Sequence, residues 1–354
     1  MQLLDTPIFF QPNRVWRCYT GGALLDRLLG RTPQMDGYLP EEWLASLTHA
    51  ENAEHTQGPE EGLSRVRTSD GSPGPLFRDI IGDEHMAVLC KFLDSAVRLP
   101  IQCHPDRTFA RQHYRSERGK TESWLVLGTR VIDGMDPYLL IGFKPGVSRE
   151  EFANAVRTQD SPALAGMLHR FPVRPGDCWL IPGRVPHAIG PGVLMLEVQE
   201  PSDWVVQVER TCAGTALSDR DCWGPLDPAT AMDCFDYTGS PAESMHAQLA
   251  MRPRPRSRSA GGTHEHLEAK ERCEVFHIDL LRLTGAYRYT PDAPRHIGIV
   301  TGGSGHLIAG DRRERLVSGD TYFSSSRIPV LEFVPDSGDA LCIYVVTDGA
   351  DNPK

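Results

Sequence analysis

The stretch GDCWLIPGRVPH, residues 176–187, returns without gaps as GDTYFSSSRIPV at residues 319–330. Both copies open on Gly-Asp and continue with an aromatic and an apolar residue. Both then close on an arginine, a β-branched residue and a proline, ahead of the last position. This order spells a turn, a short strand, a second turn and the start of a new strand. A unit repeated at this distance predicts two related β-barrels. The first copy ends on His187 and the second on Val330. The expectation is that only the first barrel keeps a metal ligand at this position.

The surroundings of the repeat fit a mainly β chain. Gly and Pro together supply 33 and 28 residues of 354, which favours many turns and short strands over long helices. In the N-terminal part, residues 99–104, 123–127 and 138–143 read as strands and 85–96 as an apolar helix or strand. Residues 40–46 read as a short helix and 107–119 as a loop with helical turns. Residues 148–168 read as a helical pair, with Ser148 as the cap and Glu150 and Glu151 near its positive end. Several short strands follow over 175–210. The basic, Pro-rich run MRPRPRSRSAGG, residues 251–262, reads as a solvated linker. Beyond it, residues 274–281, 296–301, 305–309, 321–325 and 340–346 read as strands. The expected division is a domain over 1–250 with a helical insertion at about 148–170, a linker over 251–262 and a smaller β domain over 263–354.

Composition excludes several function classes. A net charge of -10 argues against a nucleic-acid partner, though a local pocket can still meet an anionic substrate. Nine scattered cysteines with no C-x-x-C read as reduced thiols. No apolar run reaches membrane-spanning length, and the first residues lack the pattern of a signal peptide. A cytoplasmic location is expected, and the oligomeric state is left open.

The densest chemistry lies in LPIQCHPD, residues 99–106. Gln102 and His104 are two apart, so on a strand they share a face. Glu122 opens another strand and His187 follows the Pro-Gly turn of the repeat. Two imidazoles, a carboxylate and an amide oxygen make a mixed N/O set suited to Zn²⁺ and also to Mn, Co, Ni or Fe. Asp106 is expected to accept backbone hydrogen bonds in an Asx-type turn.

The segments LCKFLDS, LPIQCHPD, GKTESW, IPGRVPHAIGPG and LEVQEPSDWVVQVER, in that order and preceded by PEEWLASLTHAEN, resemble the type I mannose-6-phosphate isomerases, in particular their shorter bacterial branch. The resemblance runs from about Trp16 to Arg210, with weaker support beyond. It implies a cupin (jelly-roll) barrel with a helical insertion, plus a second, degenerate cupin-like β domain. It further implies one zinc ion per chain on Gln102, His104, Glu122 and His187. Lys120 would place a cation at the substrate, Lys91 would hold the sugar phosphate and Glu197 would be an active-site carboxylate. The implied reaction converts mannose 6-phosphate to fructose 6-phosphate through a cis-enediol.

Two positions depart from the family pattern. Gln207 stands where the family has a catalytic arginine, ten residues after the Glu197 position, and Arg210 is the nearest arginine that could replace it. Pro100 stands where the family has a small hydroxyl residue thought to contact phosphate, and proline brings neither a hydroxyl nor an N–H. These departures keep two alternatives open: a different or non-phosphorylated sugar, or a cupin that binds metal or sugar without catalysis.

Overall fold

The structure, a computed structural model, describes residues 3–52, 55–267 and 273–349. Its antiparallel sheets stack on one another, so the central strands Leu89–Ser95 and Val193–Gln199 are buried at every position. A seven-stranded sheet has the order Ala250–Met251, Cys178–Ile181, Glu122–Thr129, Val193–Gln199, Leu89–Ser95, Glu41–Leu44, Arg14–Val15. It faces a five-stranded sheet ordered Leu168–Pro172, Tyr138–Phe143, His187–Ile189, Gln102–Cys103, Val206–Gln207. Between them lies a core that includes Trp124, Met195, Ile141 and Phe143.

Two further sheets form the C-terminal β unit, one of seven strands and one of four. The two seven-stranded sheets meet back to back. Phe92, Leu125 and Leu196 of the first pack in one core with Ile278, Ile299 and Phe323 of the second. The result is the mainly β, double cupin-like architecture that the resemblance implies.

The repeat is reproduced in backbone detail. Gly176 and Gly319 take φ of 96° and 93°, a region in which a side chain is strained. Each N–H donates to a strand carbonyl at 2.8 Å, Gly176 to Val126 and Gly319 to Val300. The next residue closes the same loop in both copies. Asp177 accepts from the Arg174 N–H at 3.0 Å, and Asp320 accepts from the Val317 N–H at 2.9 Å. The strands that follow, Cys178–Ile181 and Thr321–Ser324, are both fully buried.

The helical pair forms as Arg149–Thr158 and Ser161–Gly166, with the Ser148 hydroxyl accepting from Glu151 N–H. Residues 107–113 tighten into a helix capped by Asp106, which accepts from Phe109 N–H at 2.7 Å.

Three expectations need correction, and one feature was not expected. Residues 41–44 form a strand and not a helix, because all four side chains are buried between neighbouring strands and tertiary pairing overrides the local pattern. Much of the supposed linker, Arg254–Ser259, is an exposed edge strand paired with Gly262–His266; backbone pairing needs no apolar side chains. The N-terminal strand Ile8–Phe9 hydrogen-bonds to Thr321–Ser324, so the start of the chain completes the C-terminal sheet. Residues 219–249 hold three short helices, Asp219–Trp223, Pro228–Met232 and Ala242–Leu249, which the sequence reading did not anticipate.

Candidate metal centre and cavity

Two cross-strand rows position the chemistry. In the larger sheet of the first barrel, Trp43, Lys91, Glu197, Trp124 and Trp179 are successive partners in register. Residues directly opposite on antiparallel strands point to the same face, so this row lies along the inner wall. Glu122 is two residues before Trp124 and shares the face. In the facing sheet, Gln102 lies in register with His187 on one side and Gln207 on the other. A cavity of about 480 Å³ opens between the rows, lined by Lys91, Gln102, Lys120, Glu122, Glu197 and Gln207 among others.

The imidazoles are set by hydrogen bonds on their far side. His104 Nδ1 lies 2.8 Å from the Trp204 carbonyl and His187 Nδ1 2.8 Å from the Val185 carbonyl. A carbonyl only accepts, so each Nδ1 carries the proton and each neutral ring turns an Nε2 lone pair inward. Burial pushes both histidines down, and the neighbouring ring adds to this at His187, which falls to about 3. Burial acts in the opposite sense on Glu122, but His104 and Lys120 outweigh it and hold the carboxylate well below its usual range.

His104 Nε2 is 3.1 Å from one Glu122 oxygen, and His187 Nε2 is 3.8 Å from the other. The ligand atoms of all three residues lie within 4.8 Å of one another. Buried His187 Nε2 has no hydrogen-bond partner among the described residues. Two inward lone pairs, an ionised carboxylate and, beside His187 on the facing sheet, the amide of Gln102 fit a divalent cation.

Close backbone packing brings the ligand loops together. A Cβ on Gly183 would sit 2.7 Å from Asp106 N and Pro105 O, and one on Gly119 would sit 2.7 Å from Pro105 O. Glycine at both places lets the His-Pro-Asp turn nest between the loop before Glu122 and the loop before His187. Arg184 N–H donates to the His104 carbonyl at 2.7 Å, and Lys120 N–H donates to Pro105 O at 2.9 Å.

The cavity floor is a charge network. Lys91 Nζ is 2.7 Å from Glu197 and 3.8 Å from Glu41. Arg17 pairs with Glu41 at 3.1 Å and Asp203 at 3.2 Å. Tyr19 O–H and Trp43 Nε1–H donate to Glu41 at 2.6 and 2.7 Å. Burial alone would raise Glu41, yet Arg17 and Lys91 hold it at about 2. Burial and the Glu122 charge push Glu197 up to about 7 against the pull of Lys91. Trp124 Nε1–H donates to Glu197 at 2.8 Å and also lies 3.1 Å from Glu122, joining the floor to the ligand group.

The expected site residues therefore converge, with one exception. Lys120 Nζ lies 2.9 Å from Glu122 and 3.2 Å from His104 Nε2. Gln207 lines the cavity, and its Nε2–H donates to the Asp221 carbonyl at 2.8 Å. Pro100 lines the wall as well. Arg210 is the correction: it does not line the cavity. It pairs with Asp219 and lies over the Trp223 ring, 5.5 Å from its centroid; the strand ends at Gln207, and Arg210 stands in the bend beyond it. Sequence reasoning missed Arg17, Tyr19 and Arg220, all on the cavity wall. Long-range strand pairing and folding of the 219–223 helix bring them there, and nothing local in the sequence marks them.

No protein-family model matches the chain. Mannose-6-phosphate isomerase ManA of Bacillus subtilis is 29% identical over 197 residues, 56% of this chain and 58% of that protein, so the match spans little more than half of this relative. A second B. subtilis protein, YvyI, provisionally named a mannose-6-phosphate isomerase, is 25% identical over 335 residues, 92% of this chain and 95% of that one. The crystal structure of the B. subtilis mannose 6-phosphate isomerase superposes with a TM-score of 0.73 at 22% identity, covering 96% of this chain and 99% of that chain, which establishes the fold. In sequence the chain is thus similar to mannose-6-phosphate isomerases, and it shares the fold of the solved B. subtilis enzyme.

Proposed function

We propose that this chain is a metal-dependent aldose–ketose isomerase that interconverts mannose 6-phosphate and fructose 6-phosphate. The observation that carries the reading is the convergence of two inward Nε2 lone pairs and the Glu122 carboxylate beside a sugar-sized cavity. His104, Glu122, His187 and Gln102 would hold one divalent ion, zinc by donor type, at the inner end of the cavity. Bound there, the ion would supply Lewis-acid polarisation of the sugar oxygens.

The remaining work falls to the chain itself. Lys120, beside Glu122, places a positive charge where negative charge develops on a sugar oxygen. Glu197, pinned by Lys91 and Trp124, is held in one rotamer facing the cavity. In this reading a proton leaves C2 and returns to C1 on one face of a cis-enediol, with Glu197 and Lys120 as the groups that orient the sugar and handle protons. The buried walls, Leu93 and Ile189 among them, exclude water from the enediol.

The test combines metal analysis with turnover. Purified protein is expected to carry about one divalent ion per chain, lost in Glu122→Gln and His187→Ala, and to convert mannose 6-phosphate. Protein that binds no ion and stays inactive after zinc addition would instead be a non-catalytic cupin. Gln207 and Pro100 favour a second reading, a neutral sugar as substrate. Turnover of a panel of free sugars that matches or exceeds turnover of mannose 6-phosphate would establish it, and strong preference for the phosphorylated sugar would remove it.

A further inference from the structure

We propose that Arg220 is the residue that binds the phosphate of the substrate, taking over an anion-binding task at a position the sequence motifs do not mark. The inference rests on the isomerase reading above, and the ligand class is a phosphate monoester.

Four arginines and lysines line the cavity: Arg17, Lys91, Lys120 and Arg220. Three of them are committed. Arg17 serves Glu41 and Asp203, Lys91 serves Glu197 and Glu41, and Lys120 serves Glu122. Arg17 and Lys91 neutralise carboxylates that would otherwise lie buried and unmatched, and Lys120 is held at the candidate metal centre beside Glu122, where its charge serves the reacting sugar oxygens and not a distant phosphate. Arg220 differs. It is solvent-exposed, and its guanidinium makes no ion pair or hydrogen bond among the described residues. The nearest acid along the chain on the cavity wall, Asp221, is engaged elsewhere: its carboxylate accepts from Ser218 N–H at 2.8 Å and Ser218 O–H at 2.6 Å.

The backbone beneath Arg220 is fixed while the side chain is free. The short helix Asp219–Trp223 is held by a capping box between Ser218 and Asp221 and by burial of Cys222 and Trp223. Gln207 adds a tie, since its amide donates to the Asp221 carbonyl at 2.8 Å. Position 207 is in register with Gln102, the candidate ligand on the neighbouring strand. The amide at 207 thus links the wall beside the metal centre to the segment that presents an arginine. A guanidinium offers two parallel N–H donors to a phosphate, a geometry that an ammonium lacks.

The experiment compares wild type with Arg220→Gln and Arg220→Lys, each checked for metal content and for its unfolding midpoint. Binding of inorganic phosphate is measured by titration calorimetry, and steady-state kinetics are measured with mannose 6-phosphate. Arg220→Gln is expected to weaken phosphate binding by about tenfold to a hundredfold, and to raise KM for the phosphorylated sugar more than it lowers kcat. Arg220→Lys is expected to recover part of the loss. Unchanged phosphate binding in Arg220→Gln, or no phosphate binding by wild type, overturns the proposal. Absence of mannose 6-phosphate turnover by wild type would sink the isomerase reading by itself, and the phosphate titration would still decide the role of Arg220.

Discussion

Lys91 and Glu197 are direct cross-strand partners, and their charged ends meet at 2.7 Å in a site where each side chain is 4% exposed. The ammonium also lies 3.8 Å from Glu41. Burial by itself would lower the lysine pKa, but the two carboxylates overcome it and raise it. Lys91→Met leaves Glu197 without its cation in a low-dielectric wall. The expected cost is about 3–5 kcal/mol by urea unfolding. Lys91→Met/Glu197→Gln removes both charges and should cost less than the sum of the single changes, with a coupling of about 1 kcal/mol or more. Additive single effects would show that the two groups do not act as a pair.

Gly183→Ala tests how the ligand loops are held. The new Cβ would come within 2.7 Å of Asp106 N and Pro105 O, both backbone atoms that cannot swing aside. The His-Pro-Asp turn must then retreat and carry His104 away from Glu122. Metal affinity should fall about tenfold or more in competition with a chromophoric chelator, while the far-UV spectrum stays that of a folded β protein. Affinity equal to wild type would mean that the turn relaxes without moving His104.

These two sites show which features the sequence displays. The repeat was legible because its cause is local. A turn that needs positive φ takes glycine, the next Asp closes the loop, and the same requirement at 176 and 319 leaves the same letters. The residues proposed to hold the metal were legible because strand alternation puts Gln102 and His104 on one face and the resemblance supplied the rest. The edge strand Arg254–Ser259 was hidden because all its side chains are exposed and only its backbone is paired. Arg220 was hidden for a related reason: an exposed arginine in a short helix carries no mark of the wall it ends up on. Arg17 reaches the floor through carboxylates at positions 41 and 203, contacts that no local window contains.

His296 predicts an acid sensitivity of the C-terminal unit. The ring is fully buried, neither nitrogen has a hydrogen bond among the described residues, and Tyr289 and Tyr322 pack edge-on at 5.8 and 5.9 Å, with Ser324 opposite in register. Burial pushes it down to about 3 from an ordinary value of 6.5. With a folded value below the unfolded one, the neutral ring is no burden above pH 6.5. Below that the unfolded chain takes up a proton that the folded chain refuses, and stability falls by up to about 1.4 kcal/mol per pH unit until the folded group titrates near 3. Between pH 7.5 and 5.0, urea unfolding of His296→Leu should therefore lose about 2 kcal/mol less than wild type. Equal pH dependence in the two proteins would rule out this histidine as the source.

Gln207→Arg asks whether the position keeps its reach. Residue 207 is in register with Gln102, which is itself in register with His187, so a side chain there faces the cavity wherever its tip is held. The glutamine amide is spent on the Asp221 carbonyl. A guanidinium can keep that hydrogen bond with one N–H and turn others toward the sugar. A donor aimed at developing negative charge is worth about 10²–10³ in kcat where it has been removed from other enzymes. Here the rise in kcat on mannose 6-phosphate should be about tenfold or more, because the helix carrying Arg220 already occupies part of the space. Metal content should not change, since the ligand residues are untouched. A fall in kcat with metal retained would mean that the amide at 207 is matched to the substrate this chain uses, and that the sugar panel, not mannose 6-phosphate, holds the better one.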